Sequence, residues 1–128
     1  MIEYNATDWF YNDIERLRRY SPDWAESVYD LLDYHLLEYG GVPESCDPHP
    51  LGHDRGCLSG YMECHAEPNV LVVYKVLRGH VLLVRICTHW ELYKCVFDSS
   101  RWPDPEVEAE EIRAHGLTES QVRAEISS

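Results

Sequence analysis

The sequence predicts an α+β fold, in which an N-terminal helix pair packs on a small antiparallel sheet and a helical extension follows. Two stretches within the first 40 residues carry apolar side chains at helical spacing. Three β-rich runs come next, each separated from the following one by two turn-forming residues. A length of 128 residues fits one domain of ordinary size. We expect residues 1–100 to form the main domain and residues 101–128 an acidic helical extension.

The N-terminal part begins with a predicted short strand at residues 2–6. A helix over residues 9–20 follows, and Thr7 or Asp8 can cap it by accepting from its free N–H groups. A second helix starts after Ser21 and ends at two glycines, residues 40–41. Three arginines, at positions 16, 18 and 19, fall in the last turn of the first helix, where they complement its dipole and form the best basic patch of the chain.

The three β-rich runs are predicted to form antiparallel hairpins. They cover residues 61–67, 70–77 and 80–87, with Pro68-Asn69 and Arg78-Gly79 as the turns. Residues 92–97 fit either a fourth strand or a terminal turn. After a linker, the acidic stretch 106–114 is predicted to be a helix with a solvated face, and a capping box opens a last helix near residue 118.

Composition excludes several classes of protein. Hydrophobic residues make up 45% and charged residues 27%, values typical of a globular chain rather than a disordered one. No apolar run reaches the roughly 18–20 residues of a membrane span. The N-terminus has neither the basic nor the apolar segment of a signal peptide. We therefore expect a cytoplasmic protein with no membrane partner, whose five cysteines are reduced thiols.

The charge is strongly acidic but unevenly distributed. The net charge is −12, which by itself argues against binding to nucleic acid. Residues 1–48 carry −8 and residues 101–128 carry −4, whereas residues 49–100 are neutral and hold five of the seven histidines. The middle of the chain therefore remains open to an anionic ligand.

Three blocks carry residues suited to chemistry. They are His49-Pro50-Leu51, then Gly60-Tyr61-Met62-Glu63-Cys64-His65-Ala66-Glu67-Pro68-Asn69 with its following strand, and Arg85-Ile86-Cys87-Thr88-His89-Trp90-Glu91-Leu92-Tyr93. Acid–base catalysis needs one group that removes a proton and another that gives one. Histidine suits both transfers, because its ordinary pKa of about 6.5 lies near working pH.

These blocks, in this order after two helices, resemble the RelE superfamily of bacterial toxins, and in particular its YafQ branch. The resemblance covers residues 1–97 and implies an antiparallel sheet packed on a helix pair. It also implies a metal-independent, ribosome-dependent mRNA endoribonuclease with no cofactor, whose partners are mRNA on the ribosome and a cognate antitoxin protein. The catalytic residues that it implies are His49, His65, His89 and Tyr93. The RNA-binding residues that it implies are Asn69, Lys75 and Arg85.

Three alternatives stay open. The chain has Met62 and Asn69 where the family pattern has arginine and aspartate, so it could be a weakened or inactive toxin-like domain that binds a protein partner. In the loop of residues 41–59, four side chains are of the types that hold structural zinc, namely Cys46, His49, His53 and Cys57. Near the sheet, Arg85 could pair with Glu63 or Glu67 instead of binding phosphate.

Overall fold

The computed structural model describes residues 3–36, 48–51 and 57–127. Within these ranges the chain forms helices and strands in an α+β arrangement. The elements, in chain order, are β1 (Glu3–Ala6), α1 (Asp8–Tyr20), α2 (Pro22–Leu31), β2 (His49–Pro50), β3 (Met62–Glu67), β4 (Val70–Leu77), β5 (His80–Cys87), α3 (His89–Lys94), α4 (Pro105–Ala114) and α5 (Glu119–Ser127). No described helix combines the length and the apolar character that crossing a bilayer requires.

The sheet has the strand order β1-β5-β4-β3-β2. Strands β2 to β5 pair antiparallel with their neighbours, which confirms the predicted hairpins. The sheet is mixed rather than wholly antiparallel, because β1 lies parallel to β5 with Glu3 opposite His80. A parallel pair needs a long connection. Here the helix pair and three strands supply it, so the sequence pattern of local hairpins gave no sign of this contact.

Both helices begin at their predicted N-caps, whereas the predicted end of the second helix at residues 40–41 lies outside the described residues. Thr7 accepts from the N–H of Phe10, and Ser21 accepts from the N–H of Trp24 before α2. After Leu31 the chain continues as a π-helical turn, Leu32–Leu36. One face of the sheet packs on these helices. The core between them includes Phe10, Ile14, Leu17, Val28, Val72, Leu83 and Ile86.

The C-terminal segment packs against both sides of this arrangement. Trp102 joins the core between the helix pair and the sheet, whereas Ile126 of α5 joins a second buried cluster with Leu71 and Val73. The predicted capping box at the start of α5 is present, since Thr118 and Gln121 exchange side-chain to backbone hydrogen bonds of 3.2 and 2.8 Å.

The segment after β5 is a helix, where the sequence favoured a strand or a turn. Thr88 caps α3 through a capping box, in which its hydroxyl accepts from the N–H of Glu91 and the Glu91 carboxylate accepts from the N–H of Thr88. These reciprocal bonds satisfy two N–H groups at the helix start, and they outweigh the strand preference of the following apolar residues.

Arg16 is buried, although a last-turn arginine was expected at the surface. Its side chain is 0% exposed and donates to Asp13 at 2.9 Å and to both carboxylate oxygens of Glu91 at 2.9 and 3.1 Å. It also donates to the carbonyl of Ile86, and the Trp102 ring lies 4.8 Å away. Burial would lower the pKa of Arg16, but its bond to Glu91 and the two carboxylate charges outweigh burial and raise it.

The expectation of five reduced cysteines is wrong for one pair. Cys57 and Cys95 form a disulfide, with Cα atoms 5.4 Å apart across a separation of 38 residues. Cys64 and Cys87 are buried thiols outside the disulfide, and burial raises the pKa of Cys87 well above its usual value, which makes it a poor nucleophile. Cys46 lies outside the described residues. The pairing was hidden in the sequence because the fold alone brings these two positions together.

Removal of the Arg16 side chain should destabilise the protein strongly. The Arg16→Met variant leaves the buried carboxylate of Glu91 without its arginine partner and Asp13 with Arg85 alone, and breaking such a buried pair typically costs about 3–5 kcal/mol. Arg19→Met is the matched control, since Arg19 is exposed on the same helix and should change stability by less than about 0.5 kcal/mol. Urea unfolding of both variants measures the difference, and equal stabilities would contradict the structural role given to Arg16.

Reduction of the disulfide should also destabilise the protein. Opening a loop of this size removes about 2–4 kcal/mol, because the unfolded chain gains conformational freedom. Denaturant unfolding with and without dithiothreitol measures the change, and the Cys57→Ser/Cys95→Ser double variant should not respond to the reductant. Mass spectrometry after alkylation under denaturing, non-reducing conditions should find three modified cysteines, and five would show that the disulfide is absent.

Candidate active site

Two predicted catalytic histidines are in direct contact. His65 lies on β3 and His89 is the first residue of α3, yet their Nε2 atoms are 3.1 Å apart. The strand register accounts for this proximity, since His65 lies opposite Leu71 on β4 and Leu71 lies opposite Cys87 on β5. His89 follows Cys87 by two residues. The two rings therefore lie together, as the resemblance led us to expect, and the catalytic roles given to them stay predictions.

Asn69 holds the second histidine in place. This residue lies in the turn between β3 and β4, and its Oδ1 atom is 2.8 Å from Nδ1 of His89 and 3.0 Å from the backbone nitrogen of the same residue. The His89 side chain is otherwise enclosed, with 6% of the residue exposed. Asn69 was predicted to contact RNA, and its described contacts are to His89 and to Glu108.

Glu63 is a member of the same cluster that the sequence reasoning missed. It is fully buried on β3, two residues before His65, and residues at this spacing point to the same face of a strand. This spacing was the signal that could have identified it. Among the described residues, Glu63, His65 and His89 form a group that could hold a metal ion, with donor atoms all within 4.8 Å of one another.

The third predicted histidine is placed by its backbone alone. His49 belongs to β2 and pairs with Glu63, so the strand that carries it borders the cluster. Its side chain lies outside the described residues, and its catalytic role stays a prediction. Cys46 and His53 of the zinc alternative also lie outside them. Cys57 is bound in the disulfide, so its sulfur is no longer a thiolate ligand and that four-residue set is wrong as predicted.

Arg85 is engaged by a carboxylate that the sequence reasoning did not consider. Its guanidinium donates to Asp13 of α1 at 3.1 and 3.2 Å, and not to Glu63 or Glu67. The Phe97 ring lies 3.9 Å from the guanidinium carbon and the Trp9 ring 5.5 Å. Arg85 therefore forms a structural ion pair with Asp13 near the end of β5. A phosphate that bound Arg85 would have to displace Asp13.

The remaining two predicted residues lie on separate elements. Lys75 is exposed on β4, with its ammonium nitrogen 5.4 Å from the centre of the Tyr61 ring. Tyr93 lies one helical turn after His89 and stacks on Trp90, with ring centres 5.4 Å apart and nearly parallel planes. Lys75 is thus more accessible than Arg85, the other cation predicted to bind RNA. The roles given to Lys75 and Tyr93 stay predictions.

One further carboxylate reaches the site from outside the three sequence blocks. Glu108 of α4 accepts from the Thr88 hydroxyl at 2.6 Å and from the Asn69 amide at 3.3 Å. The prediction that the acidic residues of this helix form a solvated face is therefore wrong at this position. Nothing in the local sequence distinguishes Glu108 from its acidic neighbours, because only the tertiary contact buries it. A cavity of about 190 Å³ opens beside it and is also lined by His89 and Arg123.

Comparison with known proteins agrees with this arrangement. Residues 2–94 match the family described as bacterial toxin of type II toxin-antitoxin system, YafQ. The chain belongs to this YafQ toxin family. No curated protein matches the sequence.

Solved toxin structures share the fold. A metal-bound toxin from Helicobacter pylori is 26% identical with a TM-score of 0.58, and the match covers 72% of this chain and 99% of that one. YafQ in the Escherichia coli DinJ–YafQ complex is 21% identical with a TM-score of 0.53, over 73% and 99% of the two chains. A YoeB/ParE toxin from Agrobacterium tumefaciens is 18% identical with a TM-score of 0.55, over 69% and 99%.

The extent of these matches separates two parts of the chain. The solved toxins are covered almost completely, whereas roughly a quarter of this chain lies beyond each match. The family match itself ends at residue 94, before α4 and α5 begin. Glu108 therefore belongs to a segment that follows the YafQ-family fold, although its side chain contacts residues within that fold.

Proposed function

We propose that this YafQ-family toxin is an endoribonuclease that cuts mRNA on the ribosome by histidine acid–base catalysis, without a metal. The observation that carries the proposal is the 3.1 Å contact between Nε2 of His65 and Nε2 of His89. At this distance one ring nitrogen carries a hydrogen and the other a lone pair. A donor ring beside an acceptor ring supplies the two groups that the reaction needs.

The reaction itself requires no other reactant. The 2′-hydroxyl of one nucleotide attacks its own 3′-phosphate, and the bond to the next 5′-oxygen breaks. One histidine takes the proton from the 2′-hydroxyl, and the other gives a proton to the departing 5′-oxygen. The products are a 2′,3′-cyclic phosphate and a 5′-hydroxyl. Each proton transfer typically contributes about 10²–10⁴-fold to the rate.

The other predicted residues complete this proposal. His49 would assist proton transfer from β2, and Tyr93 would stack on a base or bind a phosphate oxygen. Lys75 is accessible for a contact with the RNA backbone. Arg85 would bind a phosphate only if the phosphate displaced Asp13 from it. An antitoxin protein is the proposed partner, as E. coli YafQ is found in complex with DinJ. The proposed location is the cytoplasm, where translated mRNA is present.

Loss of either contacting histidine should abolish most of the cleavage. We expect His65→Ala and His89→Ala each to lower the cleavage rate of translated mRNA by at least about 100-fold. His80→Ala is the matched control, because His80 lies at the far end of β5 and should leave the rate unchanged. A reconstituted translation reaction with primer extension measures the cuts, and His89→Ala should also relieve growth arrest on expression. A folded wild-type protein that leaves mRNA intact would favour the non-catalytic alternative.

The same site could also exist in a metal-bound state, because Glu63, His65 and His89 together form a group that could hold a metal ion. The H. pylori relative is a metal-bound toxin, and imidazole and carboxylate are ligands that Zn²⁺ and Cu²⁺ accept. A metal bound here would take the nitrogen lone pairs that proton transfer requires. Metal binding would then inhibit cleavage rather than support it.

Metal dependence separates these two states. We expect protein that has been stripped with EDTA and exchanged into EDTA-free buffer to keep its cleavage rate in an assay that contains the Mg²⁺ ribosomes need, and the rate to fall when Zn²⁺ is added. The Glu63→Gln variant should need at least about tenfold more Zn²⁺ for half inhibition, because it lacks one charged ligand. Glu67→Gln is the matched control on the same strand, since Glu67 binds Ser27. Loss of cleavage in the stripped protein that Zn²⁺ restores would overturn the metal-independent mechanism.

A further inference from the structure

The C-terminal extension contributes a buried carboxylate to the histidine pair. Glu108 is 6% exposed, whereas Glu106 and Glu110 on the same helix are exposed. Burial raises the pKa of Glu108, against the two hydrogen bonds that it accepts. Placing a carboxylate in such a position is unfavourable unless its oxygens are bonded. Both of its oxygens are bonded, one by Thr88 and one by Asn69.

The two donors to Glu108 are the residues that adjoin His89. Thr88 precedes His89 in the chain and caps the helix that begins with it. Asn69 contacts the His89 ring and its backbone nitrogen. Glu108 therefore binds two residues that fix the position of His89, namely Thr88 and Asn69.

The orientation of the Asn69 amide follows from this arrangement. A carboxylate accepts hydrogen bonds, so the side of Asn69 that faces Glu108 must be its NH₂ group. The amide oxygen is then turned toward His89. An amide oxygen only accepts, so Nδ1 of His89 must carry the hydrogen that it receives. That leaves the lone pair of the neutral ring on Nε2, which faces Nε2 of His65.

We propose that Glu108 is a positioning residue, which through Asn69 holds His89 in the Nδ1–H tautomer with its Nε2 lone pair directed at His65. The tautomer rests on geometry alone, whereas its effect on the rate rests on the proposed endoribonuclease function. In that function His89 is the base that receives the proton, and His65 is the acid. A segment outside the YafQ-family match thus sets the chemistry of a ring inside it.

The test combines a spectroscopic measurement with a rate. The ¹⁵N chemical shifts of the His89 ring, recorded where the ring is neutral, distinguish the Nδ1–H from the Nε2–H tautomer. We expect Nδ1–H in the wild type and a mixture in Glu108→Ala. Cleavage of translated mRNA by Glu108→Ala should fall by about 10–100-fold, since loss of alignment in a site is costly. Glu110→Ala is the matched control on the same helix and should match the wild type in both readouts.

Conservative and compensating variants distinguish positioning from mere stability. Glu108→Gln should retain the tautomer, because its amide oxygen can still accept from Asn69. Asn69→Asp should lose activity, because it places a second carboxylate about 3.3 Å from Glu108. Adding Glu108→Gln to Asn69→Asp should restore at least about tenfold of the rate, since the new amide can donate to the new carboxylate.

The outcomes are separable. An Nε2–H tautomer in the wild type overturns the proposal without any variant. An unchanged tautomer in a folded Glu108→Ala variant overturns it too, since the His89 backbone would then hold Asn69 unaided. A tautomer that shifts as expected in a protein that cleaves no RNA supports the positioning role and contradicts the endoribonuclease function.

Discussion

The rest of the structure depends on the hydrogen bonds that the buried guanidinium of Arg16 donates. It joins α1 to the start of α3 through Glu91 and to the end of β5 through the carbonyl of Ile86. Asp13 binds the same guanidinium and also accepts from Arg85 and from the N–H of Ile86. A buried charge is costly unless every polar group around it is bonded. Here the bonding holds the strand end and the helix start in one geometry, and His89 lies between these two anchored points.

The site is therefore a product of long-range packing as well as of local pattern. His65 is carried by a strand and His89 by a helix start, and the turn residue Asn69 contacts the His89 ring. The carboxylate that supports Asn69 comes from a helix beyond the family match. Each part of the site is thus held by a different element, and movement of any one element would change the contact between the two rings.

Much of this arrangement could be predicted from sequence. Alternating apolar runs with short turns predicted β3, β4 and β5, and the three blocks placed His65 and His89 together by resemblance. The burial of Arg16 and Glu108 could not be predicted, because both lie in helical stretches in which most of the other charged residues are exposed. Three further features could not be predicted either, namely the pairing of Arg85 with Asp13, the disulfide and the parallel pairing of β1 with β5. Each joins positions distant in the chain, and local pattern carries no information about such partners.

The disulfide also gives the molecule a particular covalent topology. The bond between Cys57 and Cys95 closes a ring that contains β3, β4, β5 and α3. His65, Asn69 and His89 all lie inside that ring, whereas Arg16 and Glu108 lie outside it. A single backbone cut within the ring would leave the two histidines joined through the sulfur bridge. The ring also keeps them near each other in the unfolded chain, so the residues that meet at the site begin refolding at a raised effective concentration.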